Sequence, residues 1–130
     1  MEISLVNKPA VRLPEAYWVS FFPSNVVSIL VDKMGMPVNV QDVVKGGNRQ
    51  MHGINNYVDI ITDEGTLRIT SLDAGVVAIG ERRAMNYSLH YPDINTGVHF
   101  CLVNNLWTTN FNAWWGGSIK YRFKIEYLNS

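Results

Sequence analysis

The chain has 130 residues, of which 47% are hydrophobic, and its 11 basic residues balance 11 acidic ones. That size suits a single domain with one core, so residues 1–130 are read as one unit. Zero net charge supplies no counterion-release drive towards nucleic acid or an anionic membrane, and a single cysteine excludes an intrachain disulfide and cysteine-based zinc motifs.

In chain order, period-two patterns dominate. Ile3 to Val6 reads as a short strand, broken by Asn7-Lys8-Pro9. Tyr17 to Phe22 and Val26 to Lys33 are β-rich runs separated by the turn Pro23-Ser24-Asn25. Gly35 and Pro37 then punctuate the chain. Val38 to Val44 fits either a strand or one helical turn capped by Asp42, and Gly46-Gly47-Asn48 reads as a sharp loop needing positive φ or close backbone approach. Tyr57 to Leu72 is the clearest hairpin, with Val58 and Ile60 alternating with polar neighbours, a turn at Glu64-Gly65, and Leu67 and Ile69 beyond it. Val76 to Ile79 is a short apolar strand. Glu81 to Asn95 is polar and loop-rich, and Val98 to Val103 and Ile119 to Leu128 close the fold. No segment of 11 or more residues keeps a helical stripe. These elements predict an all-β fold, an antiparallel β-sandwich of roughly eight to ten short strands. No apolar run is long enough to span a bilayer, and no basic-plus-apolar leader opens the chain, which leaves localisation open.

The segment from Asn104 to Gly117 concentrates three of the four tryptophans and four asparagines, with no charged residue. Flat indole faces pack against the axial C–H groups of a pyranose, while neutral amides pair with its hydroxyls. This chemistry points to carbohydrate, with Trp107, Trp114 and Trp115 as the stacking platform and Asn105 and Asn110 orienting hydroxyls. Tyr87, Tyr91 and Trp18 are secondary aromatics. The competing reading is a loop that plugs one end of the sandwich, since tryptophans mostly pack as core and loop asparagines often fix their own backbone. Adjacent Trp114 and Trp115 point to opposite faces if the chain there is extended, so one can anchor the loop while the other stays exposed.

Other chemistry is poorly supported. Glycoside cleavage needs two carboxylates at a set separation, and Glu15, Asp42, Asp73 and Asp93 show no spacing that marks a pair. Asp73 reads as a turn residue, and no catalytic residue is assigned. His52, His90 and His99 are dispersed, so His99 is expected to be a hydrogen-bonded structural residue and no metal or other cofactor is predicted. Asp59, Asp63 and Glu64 match no calcium-loop spacing. Cys101 is expected to be a buried, inert thiol.

Several segments, in order, carry a resemblance. They are Leu13-Pro14-Glu15-Ala16-Tyr17-Trp18, Gly46 to His52, Leu72-Asp73-Ala74, and Asn104 to Phe111 with Tyr121-Arg122-Phe123 after it. From about Leu13 to Ile125 the chain resembles the C-terminal β-sandwich region of glycosidase-like proteins related to the family 38 α-mannosidases. It departs from that pattern at Thr108 and Asn112, where glycine and proline are usual. The resemblance implies an accessory domain beside a separate α/β catalytic domain, which in such enzymes carries the nucleophilic aspartate and zinc. It gives two expectations for function. One is a non-catalytic carbohydrate-binding module of a glycoside-hydrolase-like protein, and the alternative is a structural domain that docks on a catalytic partner domain without binding sugar.

Overall fold

A computed structural model describes residues 1–84, 87–106 and 114–129. Their strands are β1 (Glu2–Lys8), β2 (Ala16–Phe21), β3 (Val26–Lys33), β4 (Met36–Asn39), β5 (Met51–Gly53), β6 (Tyr57–Thr62), β7 (Thr66–Ser71), β8 (Val76–Ile79), β9 (Val98–Asn104) and β10 (Gly117–Leu128). Every pairing is antiparallel. One sheet has six strands in the order β1-β10-β7-β6-β3-β4, and the other has four in the order β2-β9-β8-β5. The fold is the all-β sandwich that alternation predicts.

Alternation also decides what lies between the sheets. Ile29, Val31, Val58, Ile60 and Ile69 of the larger sheet are fully buried or nearly so, as are Val77, Ile79, Val98 and Phe100 of the smaller one. Phe100 meets Phe21 edge-on at 5.8 Å within its own sheet and Phe123 at 5.2 Å across the gap. Such edge-to-face contacts add about 0.5–1.5 kcal/mol each beyond burial. On β10, buried Tyr121 and Phe123 alternate with exposed Arg122 and Lys124, and the Tyr121 hydroxyl donates to the Leu102 carbonyl of the opposite sheet.

The Tyr57–Leu72 hairpin is present as β6 and β7, and Val26–Lys33 and Val76–Ile79 keep their predicted bounds. Elsewhere the structure differs: β1 runs on to Lys8 through the expected break, and β10 begins at Gly117, two residues before Ile119. The run from Val38 to Val44 contributes only to β4, because the Asn39 side chain accepts from the Gln41 N–H at 2.9 Å and turns the chain out of the strand. Three-residue β5 is too short to show a period, and its Gly53 carries no strand signal. Ile94–Thr96 forms a 3-10 turn capped by the Asp93 carboxylate, which accepts from the Asn95 N–H at 2.9 Å.

Several chemically suggestive residues serve the structure instead. Both Asp59 oxygens accept from Arg68 at 2.7 Å across the β6–β7 hairpin, so this carboxylate is not free for a cation. Asp73 accepts from the Arg122 backbone at 2.8 Å and also from its guanidinium, which holds the Asp73 carboxyl below its ordinary range. His99 lies between Gly80 O, 2.9 Å from Nε2, and Ser20 Oγ, 2.8 Å from Nδ1. It is the hydrogen-bonded structural histidine expected. Half-buried Cys101 has its thiol pushed up to about 11 by burial, which leaves it protonated and unreactive at neutral pH.

Candidate functional site

β9 and β10 are consecutive strands in different sheets, joined by the segment 105–116. Its two feet rest on neighbouring supports. Asn104 stands opposite Ala16 of β2, and Gly117 stands opposite Lys8 of β1. The link from Pro9 to Glu15 joins those two supports. Trp107 and Asn110 of the predicted platform fall in residues 107–113, outside the described residues. Asn105, Trp114 and Trp115 are placed.

A buried ion pair forms the base. β1 carries an irregularity between Leu5 and Lys8, with Asn7 at φ +50, and this breaks the strand's alternation before Lys8. The result is a lysine side chain only 4% exposed, in an ion pair with Glu15, whose side chain is 13% exposed. Lys8 Nζ also donates to Pro9 O at 3.0 Å and to Trp115 O at 2.9 Å, and stands 5.8 Å from the centre of the Tyr17 ring. The Tyr17 hydroxyl donates to Glu15 Oε2 at 3.2 Å. Glu15 Oε1 has no well-directed hydrogen bond, so its contact with Lys8 is chiefly Coulombic.

Asn105 works as a splint. Its Oδ1 accepts from the Glu15 N–H at 2.6 Å, and its amide protons go to the carbonyls of Val11 and Leu13, each at 2.9 Å. With both donors committed to backbone, one Oδ1 lone pair is all that it can offer a ligand. The two tryptophans differ as adjacent residues on an extended chain would. Half-buried Trp114 has the Arg12 guanidinium 4.8 Å from its ring centre. Trp115 is 39% exposed, and its indole lies over the bare Cα of Gly117, where an added Cβ would stand 3.3 Å from Cζ2. Gly116 makes that placement possible, because a Cβ there would lie 2.8 Å from the Ala10 backbone nitrogen. Trp115 therefore combines a pinned backbone, a packed ring edge and open indole surface.

No family model matches this chain, and neither a curated protein nor a solved structure matches it. The chemistry of the site is therefore taken from its own geometry.

The other predicted aromatics do not join this site. Trp18 pairs across β2 with Cys101, while Tyr91 belongs to the Glu81 to Asn95 loop beyond the opposite end of β9. Tyr87 is on that loop too, its hydroxyl donating to Gly46 O at 2.9 Å. Glu15 and Asp73, the carboxylates most worth weighing for hydrolysis, are each paired with a cation of their own, Lys8 and Arg122. Sequence reasoning missed Lys8, which reads as part of a strand break where a solvated lysine is the default, whereas β1 extends to it. The one available signal was Glu15, an acid near enough along the chain to meet it once the Pro9 to Glu15 link folds back.

Proposed function

We propose that this domain is a non-catalytic carbohydrate-binding module, with Trp115 as its stacking surface and Trp114 supporting the same loop from the Arg12 side. The observation that carries the reading is the exposed Trp115 indole, whose backbone carbonyl is held by a buried lysine that is itself paired with the largely buried Glu15. A preordered platform loses little conformational entropy on binding, which is the usual penalty for a loop ligand site. Beside Trp115 lie the Trp114 ring, the Arg12 guanidinium over it, and the Asn105 amide, a set of aromatic faces and hydrogen-bonding groups that suits sugar hydroxyls. A single indole gives modest affinity, with dissociation constants in the micromolar-to-millimolar range, or about −4 to −8 kcal/mol. Titration calorimetry against mannosides, galactosides and plant polysaccharides tests this. Trp115→Ala keeps the backbone carbonyl that Lys8 grips and is expected to abolish binding while the protein stays folded. Absence of heat with every sugar would sink the proposal.

A second reading has its own observation. Leu13, in the Pro9 to Glu15 link, and Val6, near the end of β1, are 73% and 71% exposed, and exposed apolar side chains of this kind suit a domain interface. On that reading the domain docks on a partner, such as a glycosidase catalytic domain, and ignores sugars. Sedimentation separates the two. Self-association that Leu13→Ser and Val6→Ser relieve, with no sugar response, favours docking.

A further inference from the structure

At the other end of β9, on the order of 20 Å from the tryptophans at the rise of an extended strand, the chain leaves β8 at Gly80 and returns through residues 81–97. Gly80 sits at φ +83, and a Cβ there would be 2.9 Å from Pro92 Cβ. This contact between the outgoing and returning chain leaves a cavity of about 380 Å³ beside it, at the small end of the range for ligand clefts, about 300–1,000 Å³. The walls include Glu81, Arg83, Tyr91, Asp93 and Gln50.

The chemistry of those walls narrows the ligand. Gln50 Nε2 donates to Glu81 O, which leaves Oε1 as an acceptor. Asp93 Oδ1 is taken by Asn95, which leaves Oδ2. Arg83 and Glu81 form an exposed ion pair, so the arginine charge is already balanced. Tyr91 is 56% exposed, with the Arg49 guanidinium stacked 3.8 Å from its ring centre, so the ring is braced on one side. Among the lining side chains an anion meets two carboxylates, and the one guanidinium there, Arg83, is already paired with Glu81, while the Arg49 guanidinium stacks on Tyr91 without lining the cavity. A metal ion lacks ligands, since no group of three suitable side chains occurs among the described residues. Acceptors on Gln50, Asp93 and Glu81, with the Arg83 donors and a braced aromatic ring, instead suit vicinal hydroxyls, each of which both donates and accepts.

We infer that the cavity floored by Gly80 and walled by Glu81, Arg83, Tyr91 and Asp93 is a binding site for one neutral, hydroxyl-rich ring of monosaccharide size. It is separate from the Trp115 surface and does not depend on that surface binding anything. The test is a nuclear magnetic resonance titration of the whole chain with mannose, galactose, glucose and glucuronate, each up to about 100 mM. A neutral sugar is expected to shift the Gly80, Ser88 and Thr96 amides saturably. Tyr91→Ala and Glu81→Gln, both at exposed positions, should weaken that response at least tenfold, while Trp115→Ala leaves it unchanged. Three results overturn the inference: no saturable shift at these amides, a response to glucuronate alone, or a response lost in Trp115→Ala and kept in Tyr91→Ala.

Discussion

Lys8 shows how one side chain can organise a site without touching a ligand. Its ammonium satisfies Pro9 O and Trp115 O and neutralises Glu15 inside the protein. Removing one member of such a buried pair strands the other charge, at a cost of about 3–5 kcal/mol. Lys8→Met is therefore expected to lower the urea-denaturation stability by that amount. Adding Glu15→Gln should restore much of it, because the stranded carboxylate is gone. A loss below about 1 kcal/mol in the single variant would show that water reaches Glu15 after all. Apart from the nearby acid Glu15, little of this was legible in the sequence. Lysine beside proline in a strand break predicts solvent, and the bulge that turns Lys8 inward leaves no compositional trace. Asn105 is illegible for a related reason: an asparagine next to tryptophans looks the same whether its amide meets a sugar or, as here, three backbone groups.

At the scale of elements, legibility followed length and local turn chemistry. The β6–β7 hairpin declared itself because period-two alternation on both arms flanked a turn glycine. β5 did not, because three residues cannot show a period. The β3–β4 hairpin is instructive in another way. Its turn residues Met34 and Gly35 lie at φ +55 and +88, a two-residue turn that favours Asn-Gly. Methionine takes that conformation at a steric cost of roughly 1–2 kcal/mol. Buried Asp32 offsets the cost by accepting from the Gly35 N–H at 2.7 Å and from Asn56 Nδ2 at 3.0 Å. Met34 is 95% exposed, so no packing is lost when it is replaced. Met34→Asn is expected to stabilise the protein by about 1 kcal/mol in chemical denaturation. Unchanged or lowered stability would mean that the turn is not strained.

Across the whole molecule, two histidines tie stability to pH in one direction. His52 is held below its ordinary range by burial and by the charge of Lys33, against a raising contact with Arg49 O. His99 is held below it by burial, with Arg82 adding to the effect and the Gly80 carbonyl opposing it. Each therefore resists protonation in the folded state more than in the unfolded chain, whose imidazoles titrate near 6.5. Above that value both states are neutral and the full stability is present. As pH falls below it, the unfolded chain takes up protons first, and stability declines until the lowered native values are reached. Asp73, also lowered, loses its contribution only when pH falls below the ordinary carboxylate range, so its window lies apart. Melting temperature is expected to be flat from about pH 8 to about 6.5 and to fall towards about pH 5. Substituting both His52 and His99 with glutamine should flatten that fall whatever it does to the plateau, while Asp73→Asn should leave it in place. A wild-type profile level across that whole range would show that the two imidazoles are not held neutral by the fold.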